Sequence, residues 1–258
     1  MTSTPVLHVE VSRGVATLTL DSPANRNALS RAMRAELRQA LTDALADDAV
    51  RVVVLDHTGR VFCSGMDLSE AAGGSAADQG VNEFPELLET IWHSPKPVLA
   101  AVRGPARAGG VGLLAACDVV VAGALATFGF AEVRIGVVPA IISAVCRPRM
   151  LPHAVHRLML TGEVFDAATA AQTGLVDLAV ADDAVTDTVA AQVHALAAGA
   201  PLALAETKRL LRSTPSGSLG DQFGDLLGLS ARFFASPEGQ EGIAAFREKR
   251  PASWVPQD

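Results

Sequence analysis

The sequence predicts an α/β protein, with a mixed β/α core followed by a helical C-terminal part. Three observations predict it. The runs "VRVVVLDH" and "KPVLAAVRG" are continuously apolar over strand length, as expected of strands buried on both faces. Strand, loop and helix patterns alternate through the first half of the chain. After about residue 140 helical patterns dominate, over residues 148–160, 166–173, 182–198, 201–212, 219–234 and 237–249, with "GLVDLAV" as the clear strand among them. A chain of 258 residues that is 49% hydrophobic is long enough to bury a sizeable core of this kind.

Each element has a local reason. "VLHVEVS" and "VATLTLD" alternate around Arg13-Gly14 and read as a hairpin. "SPANRNALS" is rich in turn formers. Ser30 then caps a helix over residues 31–46, with apolar positions at Met33, Leu37, Ala40, Leu41 and Leu45. The strand "VRVVVLDH" leads to "VFCSGMDLSE", a loop entering a short helix, and to "AAGGSAADQG", a mobile surface loop. Residues 82–93 form a helix, "KPVLAAVRG" the next buried strand, and "GGVGLLAACD" opens a helix before the strand "CDVVVAG".

Composition excludes several classes. The net charge of −7 gives no general attraction for nucleic acid. No run approaches about 18 uninterrupted apolar residues, so no membrane span is expected. "MTSTPVLHVEV" lacks a basic stretch followed by an apolar one, so no signal peptide is expected either. Cys63, Cys117 and Cys146 are few, odd in number and widely spaced. They fit reduced, buried thiols in a cytoplasmic protein. His153 and His156 form an HxxH pair with no third ligand or accompanying glutamate, so no metal site is expected. There is no Gly-x-Ser-x-Gly elbow for nucleophilic catalysis.

The glycine-rich stretch carries the functional question. Gly110-x-Gly112-x-x-Ala115, with Glu132 about twenty residues on, satisfies the surface rule of a dinucleotide fingerprint. The context fails: residues 104–110 separate the preceding strand from Val111, where that motif needs a tight turn, and Glu132 ends no hydrophobic strand. A plainer reading is that small residues let the helix pack closely on a neighbour. A third reading joins two loops. "VFCSGMDL" and "GPARAGGVGL" each follow an apolar strand, and each has a glycine that can turn backbone N–H groups toward a ligand. Two such donors can grip a thioester oxygen as it becomes negative, each typically worth about 3 kcal/mol.

Six segments, "SPANRNALS", "FCSGMDL", "KPVLAAVRGPARAGGVGLLAACD", "ATFGFAEVRIGVVPA", "LTGEVFDAATAAQTGLVD" and "SPEGQEGIAAFREKRPASW", stand in order over nearly the whole chain. In them the sequence resembles the crotonase, or enoyl-CoA hydratase/isomerase, family. The resemblance implies a spiral of repeated ββα units, over residues 1–197, and a helical trimerisation region, over residues 198–258. It implies a homotrimer or dimer of trimers, and an acyl-CoA thioester as partner. No separate cofactor is implied, because coenzyme A is part of the substrate. Met66 and Gly109 fall at the positions that supply the oxyanion N–H groups. Ala24, Asn25 and Arg26 match the segment that wraps the adenine and phosphates, and the permanently charged fork of Arg26 suits a phosphate. Ser64, Asp67 and Leu68 fall near the coenzyme A pocket. Phe246 and Lys249 match positions that reach it across a subunit boundary.

Two-base hydratases of the family carry one glutamate in the helix after the oxyanion glycine and a second about twenty residues later. Here the first position is Gly112 and the second is Glu132. Hydration divides between two carboxylates, whereas a double-bond shift needs one base. Local resemblance around "EVRIG…PAIIS" favours a hydratase with Glu132 acting alone. An enoyl-CoA isomerase using the same glutamate, and a catalytically silent acyl-CoA-binding homologue, are the alternatives. Glu83, Glu86 and Glu89, on the helix after the mobile loop, are further acids to place, with Glu86 and Glu89 on roughly one face.

Overall fold

The computed structural model describes residues 5–70 and 83–256. The expected mobile loop "AAGGSAADQG", and Asn82 at the expected helix start, lie outside the described residues. The N-terminal hairpin is β1 (Leu7–Ser12) and β2 (Val15–Leu20), antiparallel. β2 then begins a parallel run with β3 (Val52–His57), β4 (Val98–Val102), β6 (Val119–Gly123) and β9 (Leu178–Val180). The result is a six-stranded sheet in the order β1-β2-β3-β4-β6-β9.

Continuous apolar strands fit because both faces of this sheet are covered. Val53 and Leu55 of β3, with Val98, Ala100 and Val102 of β4, join the large core. Their alternates Val54, Leu99 and Ala101 join a second cluster with Val121. That cluster is closed by Val185, Val189 and Val193 of the helix α7 (Val185–Ala197). The large core is closed by α1 (Arg31–Ala46), α2 (Glu83–His93) and α3 (Gly109–Ala116). Ser30 caps α1, its Oγ accepting from the Met33 N–H at 3.3 Å.

A second, small sheet supplies the second strand of the expected ββα units, at positions that the reading of individual elements does not mark as strand. β5 (Ala106–Arg107), β7 (Thr127–Gly129) and β8 (Val164–Asp166) pair in the order β5-β7-β8. An isolated parallel bridge, Cys63 with Ala106, extends this ladder to the segment after β3. Each turn of the chain therefore adds a strand to the large sheet, then a short piece to the small ladder, then a helix.

Other expectations are adjusted. Residues 148–160 do not form one helix. They split between α4 (Ala140–Arg149) and α5 (Pro152–Thr161), because Leu151 precedes a proline and is extended at φ −58°, ψ 130°. Residues 68–70 form a turn, and the rest of the expected short helix lies outside the described residues. "GLVDLAV" is strand only over β9. The remaining helices are α6 (Ala167–Gln172), α8 (Pro201–Arg212), α9 (Leu219–Ala235) and α10 (Pro237–Glu248). No single helix among the described residues is long and apolar enough to cross a membrane.

Candidate active site

The small ladder sets the geometry. Cys63, Ala106 and Phe128 are its in-register partners on three successive turns. Met66 lies three residues beyond Cys63, Gly109 three beyond Ala106, and Glu132 four beyond Phe128. The candidate residues thus leave the same end of adjacent parallel strands, about 4.8 Å apart. Carboxyl ends of parallel strands are where α/β folds place ligands.

The two N–H groups are held by different devices. Gly65 has φ +94°, a conformation glycine adopts without strain. Its open side faces Ala108 and the Gly109 nitrogen, with a Cβ built there 3.6 Å from that nitrogen. The Leu29 N–H donates to the Gly65 carbonyl at 2.8 Å, which pins the loop to the start of α1. On the other side, Ala108 sits at φ 47°, ψ −116°, strained for a residue with a side chain. Its N–H donates to the Gly129 carbonyl at 3.0 Å. Neither Met66 nor Gly109 donates its N–H to a partner among the described residues. Gly109 is moreover the first residue of α3, where the helix dipole favours negative charge.

Glu132 opens a short 3₁₀ helix, Glu132–Ile135, only three residues beyond Gly129. Three residues of chain span at most about 10 Å. The bond from Ala108 to Gly129 therefore brings Glu132 to the neighbourhood of Gly109. Its carboxyl is half-buried, and Oε2 is fully buried with no hydrogen-bond partner. Burial pushes its pKa above the ordinary glutamate value of 4.5, and a hydrogen bond from its own backbone opposes this. A buried carboxylate oxygen with no partner among the described residues is costly unless it has work to do.

The place of a first carboxylate at Gly112 is filled. A Cβ built there lies 2.5 Å from Ile142 Cγ2 and 3.6 Å from Phe84 Cζ. Phe84 also covers Gly109, at 3.3 Å from a built Cβ. Gly110 is pressed against Cys63, its built Cβ 2.7 Å from the Cys63 carbonyl oxygen. For Gly110 and Gly112 the close-packing reading therefore holds. The dinucleotide fingerprint fails here too, since every residue of α3 is buried. Ile142 and Cys146 are one turn apart on α4, and the Glu132 charge helps raise the Cys146 thiol pKa. One face of α4 thus packs on Gly112 and feels the charge of Glu132.

The outer loop residues are brought together in part. Residues 23–25 form a 3₁₀ turn closed by Arg26 at φ 60°. Asn25 Nδ2 donates to Asp67 Oδ2 at 3.2 Å, Ser64 Oγ to the Asn25 carbonyl at 3.3 Å, and the Ser64 N–H to the Arg26 carbonyl at 3.1 Å. Ala24, the Arg26 side chain and Leu68 stand exposed beside this cluster. Phe246 is 85% exposed on α10, and Lys249 ends that helix at φ 54°. The Lys249 N–H donates to the Phe246 carbonyl at 3.3 Å, and among the described residues no hydrogen bond or ion pair joins either to the remaining candidates.

Of the remaining acids, two are ion-paired. Glu83 pairs with buried Arg34 at 3.5 Å and Glu86 with Arg38 at 3.8 Å, while Glu89 is exposed. Cys63 and Cys117 are fully buried, and burial pushes both thiols up to about 12. Sequence reasoning missed Ala108, Phe84 and Ile142. A glycine-poor positive φ has no sequence signal, and Phe84 and Ile142 look like any inward position of an amphipathic helix.

A family model, Enoyl-CoA hydratase/isomerase, matches residues 10–257. Among solved structures the chain is similar to an enoyl-CoA hydratase from Mycobacterium smegmatis, with a TM-score of 0.90 at 32% identity, covering 97% of this chain and 99% of the other. It is also similar to an enoyl-CoA hydratase from Mycobacterium avium, at 40% identity and a TM-score of 0.74, covering 98% and 100%. The 2,3-dehydroadipyl-CoA hydratase of Escherichia coli is 33% identical, over 95% of this chain and 96% of that one. A match across nearly the whole length, on the same fold of paired sheets and helices, establishes that the chain belongs to the enoyl-CoA hydratase/isomerase family.

Proposed function

We propose that this chain is an enoyl-CoA hydratase that adds water across the double bond of a 2-enoyl-CoA thioester. The N–H groups of Met66 and Gly109 hold the thioester oxygen, and Glu132 alone serves as base and then acid. The observation that carries this reading is that two N–H groups without a partner among the described residues and the buried, unpartnered Oε2 of Glu132 all lie past one end of the small ladder. Glu132 takes a proton from water as the oxygen attacks the β-carbon, and charge moves to the thioester oxygen. The same proton then passes from Glu132 to the α-carbon as the enolate collapses. A carboxyl raised by burial is better matched to give that proton back near neutral pH.

Ala24, Asn25, Arg26, Ser64, Asp67 and Leu68 form the mouth that takes the coenzyme A portion, with no separate cofactor. Phe246 and Lys249 act from a neighbouring copy in a homotrimer or dimer of trimers built through residues 198–258. The exposed Leu211, Phe223, Leu227 and Phe234 of α8 and α9 support such an assembly. Net charge and buried thiols support a cytoplasmic enzyme with no nucleic-acid or membrane partner.

Glu132→Gln is expected to lower crotonyl-CoA hydration by about 10²–10⁴-fold while acyl-CoA binding, followed by calorimetry, survives. Unchanged turnover overturns the assignment. A second reading, double-bond isomerisation by the same glutamate, is favoured by Ile142 and Phe84 filling the place of the other acid. Mass spectrometry on matched 2-enoyl- and 3-enoyl-CoA panels separates the two.

A further inference from the structure

α3 has an unusual difficulty. Its sequence, GGVGLLAA, carries no polar side chain, it is wholly buried, and it has no side-chain N-cap. Nothing along its length of about 12 Å can fix its position along its own axis by hydrogen bonding. Only its ends can be gripped. At the C-terminal end the grip comes from α8, some ninety residues later in the chain. Arg212 Nη2 donates to the carbonyls of Ala116 at 3.0 Å and Cys117 at 3.3 Å. Its other nitrogen, Nη1, donates to the Trp92 carbonyl at 2.6 Å, and the guanidinium lies 4.0 Å over the Trp92 ring. One turn back on α8, Lys208 Nζ donates to the Ile91 carbonyl at 3.0 Å.

Ile91 and Trp92 lie in the last turn of α2, which carries Phe84 over Gly109. Both cations meet the carboxylate of Asp118, Lys208 at 2.7 Å and Arg212 at 2.8 Å, and all three side chains are largely buried. Asp118 in turn accepts from the Val98 N–H of β4 at 2.8 Å. From α4, Arg149 Nη1 adds a bond to the Cys117 carbonyl at 2.8 Å. Cations at helix C-termini are favoured by the dipole, and a guanidinium fork can satisfy two helices at once.

We propose that Arg212, supported by Lys208 through Asp118, is a positioning residue for the reaction: it holds the C-terminal ends of α2 and α3 and thereby sets where the Gly109 N–H stands. This rests on Gly109 being an oxyanion donor. An axial slip of α3 moves that N–H directly, whereas the coenzyme A mouth, built on the loops of residues 24–26 and 64–68, stays in place. The consequence is a selective loss of transition-state stabilisation.

The test compares Arg212→Met with the native enzyme. Asp118 keeps Lys208 as its partner in that variant. Expected is a fall in kcat of about 10- to 100-fold with KM and affinity for a saturated acyl-CoA unchanged. Expected as well is a smaller red shift in the absorbance of a bound aryl-conjugated enoyl-CoA, a direct reading of hydrogen bonding to the thioester oxygen. Arg212→Lys recovers part of both. Should Arg212→Met fail to fold, Arg212→Gln carries the same two readouts. Native kcat and a native red shift in a variant that only melts earlier overturn this proposal alone. Absence of any red shift in the native enzyme overturns the Gly109 reading, and this proposal with it.

Discussion

The two sheets of this protein divide its labour. The six-stranded sheet holds the core: β3 and β4 are buried on both faces, and their side chains reach two separate apolar clusters. The three-stranded sheet is made of pieces two or three residues long and contributes little apolar area apart from Phe128 and Phe165. Yet Met66, Gly109 and Glu132 all leave the end of that smaller ladder. Stability and site placement rest on different hydrogen-bonded structures, so they can be perturbed separately.

The largest separation is expected from the large sheet. Leu55→Ala empties a fully buried position and is expected to cost about 2–5 kcal/mol. Denaturant melts read that loss, while kcat per folded site stays native. A parallel fall in kcat would mean that the two sheets are not independent.

Restoring the missing acid comes next. Gly112→Glu forces a side chain into Ile142 and is expected to cost about 1–3 kcal/mol without raising the hydration rate. Combining it with Ile142→Ala is expected to recover stability. A gain of hydratase activity in the double variant would show that the apolar wall is the only obstacle to two-carboxylate chemistry.

A smaller effect on stability, but one on function, is expected at Arg107. Its guanidinium donates to the carbonyls of Ala106 and Thr127 and to Thr127 Oγ1, fastening β5 to β7. Arg107→Ala is expected to lower stability by about 1 kcal/mol. Turnover is expected to fall by about tenfold, because Ala108 and Gly109 follow directly. Stopped assays beside thermal melts check the ratio, and a stability loss without a rate loss would break the comparison.

The smallest effect is a pH dependence. Below pH 4.5 Glu132 is protonated in both folded and unfolded chains and costs nothing. As pH rises from 4.5 through its raised folded value, the unfolded chain ionises first and the fold loses stability. The Glu132→Gln variant does not titrate, so its melting temperature relative to the native protein rises over that window and then levels. A constant difference would mean that the carboxyl is not desolvated.

Much of this architecture was legible in particular residues. Ser30 announced α1, and the unbroken apolar runs of β3 and β4 announced strands covered on both sides. The acids of α2 were legible only as a group. Their ion pairs with Arg34 and Arg38 of α1 depend on a helix packing that no local pattern encodes. Pro148 suggested a helix start, but the break came at Leu151, where the following proline disfavours helical backbone.

The sequence by itself determined the family and the large sheet, because long apolar periods and ordered motifs are local signals. The tertiary structure alone decided what surrounds Gly112 and how the candidate residues are brought to one end of the small ladder. Strands of two residues leave no period to read, and the strain at Ala108 belongs to a junction between sheets. The space at Gly112 is closed by Ile142, thirty residues away in the chain. Contacts between distant segments follow from packing, and packing is a property of the whole fold.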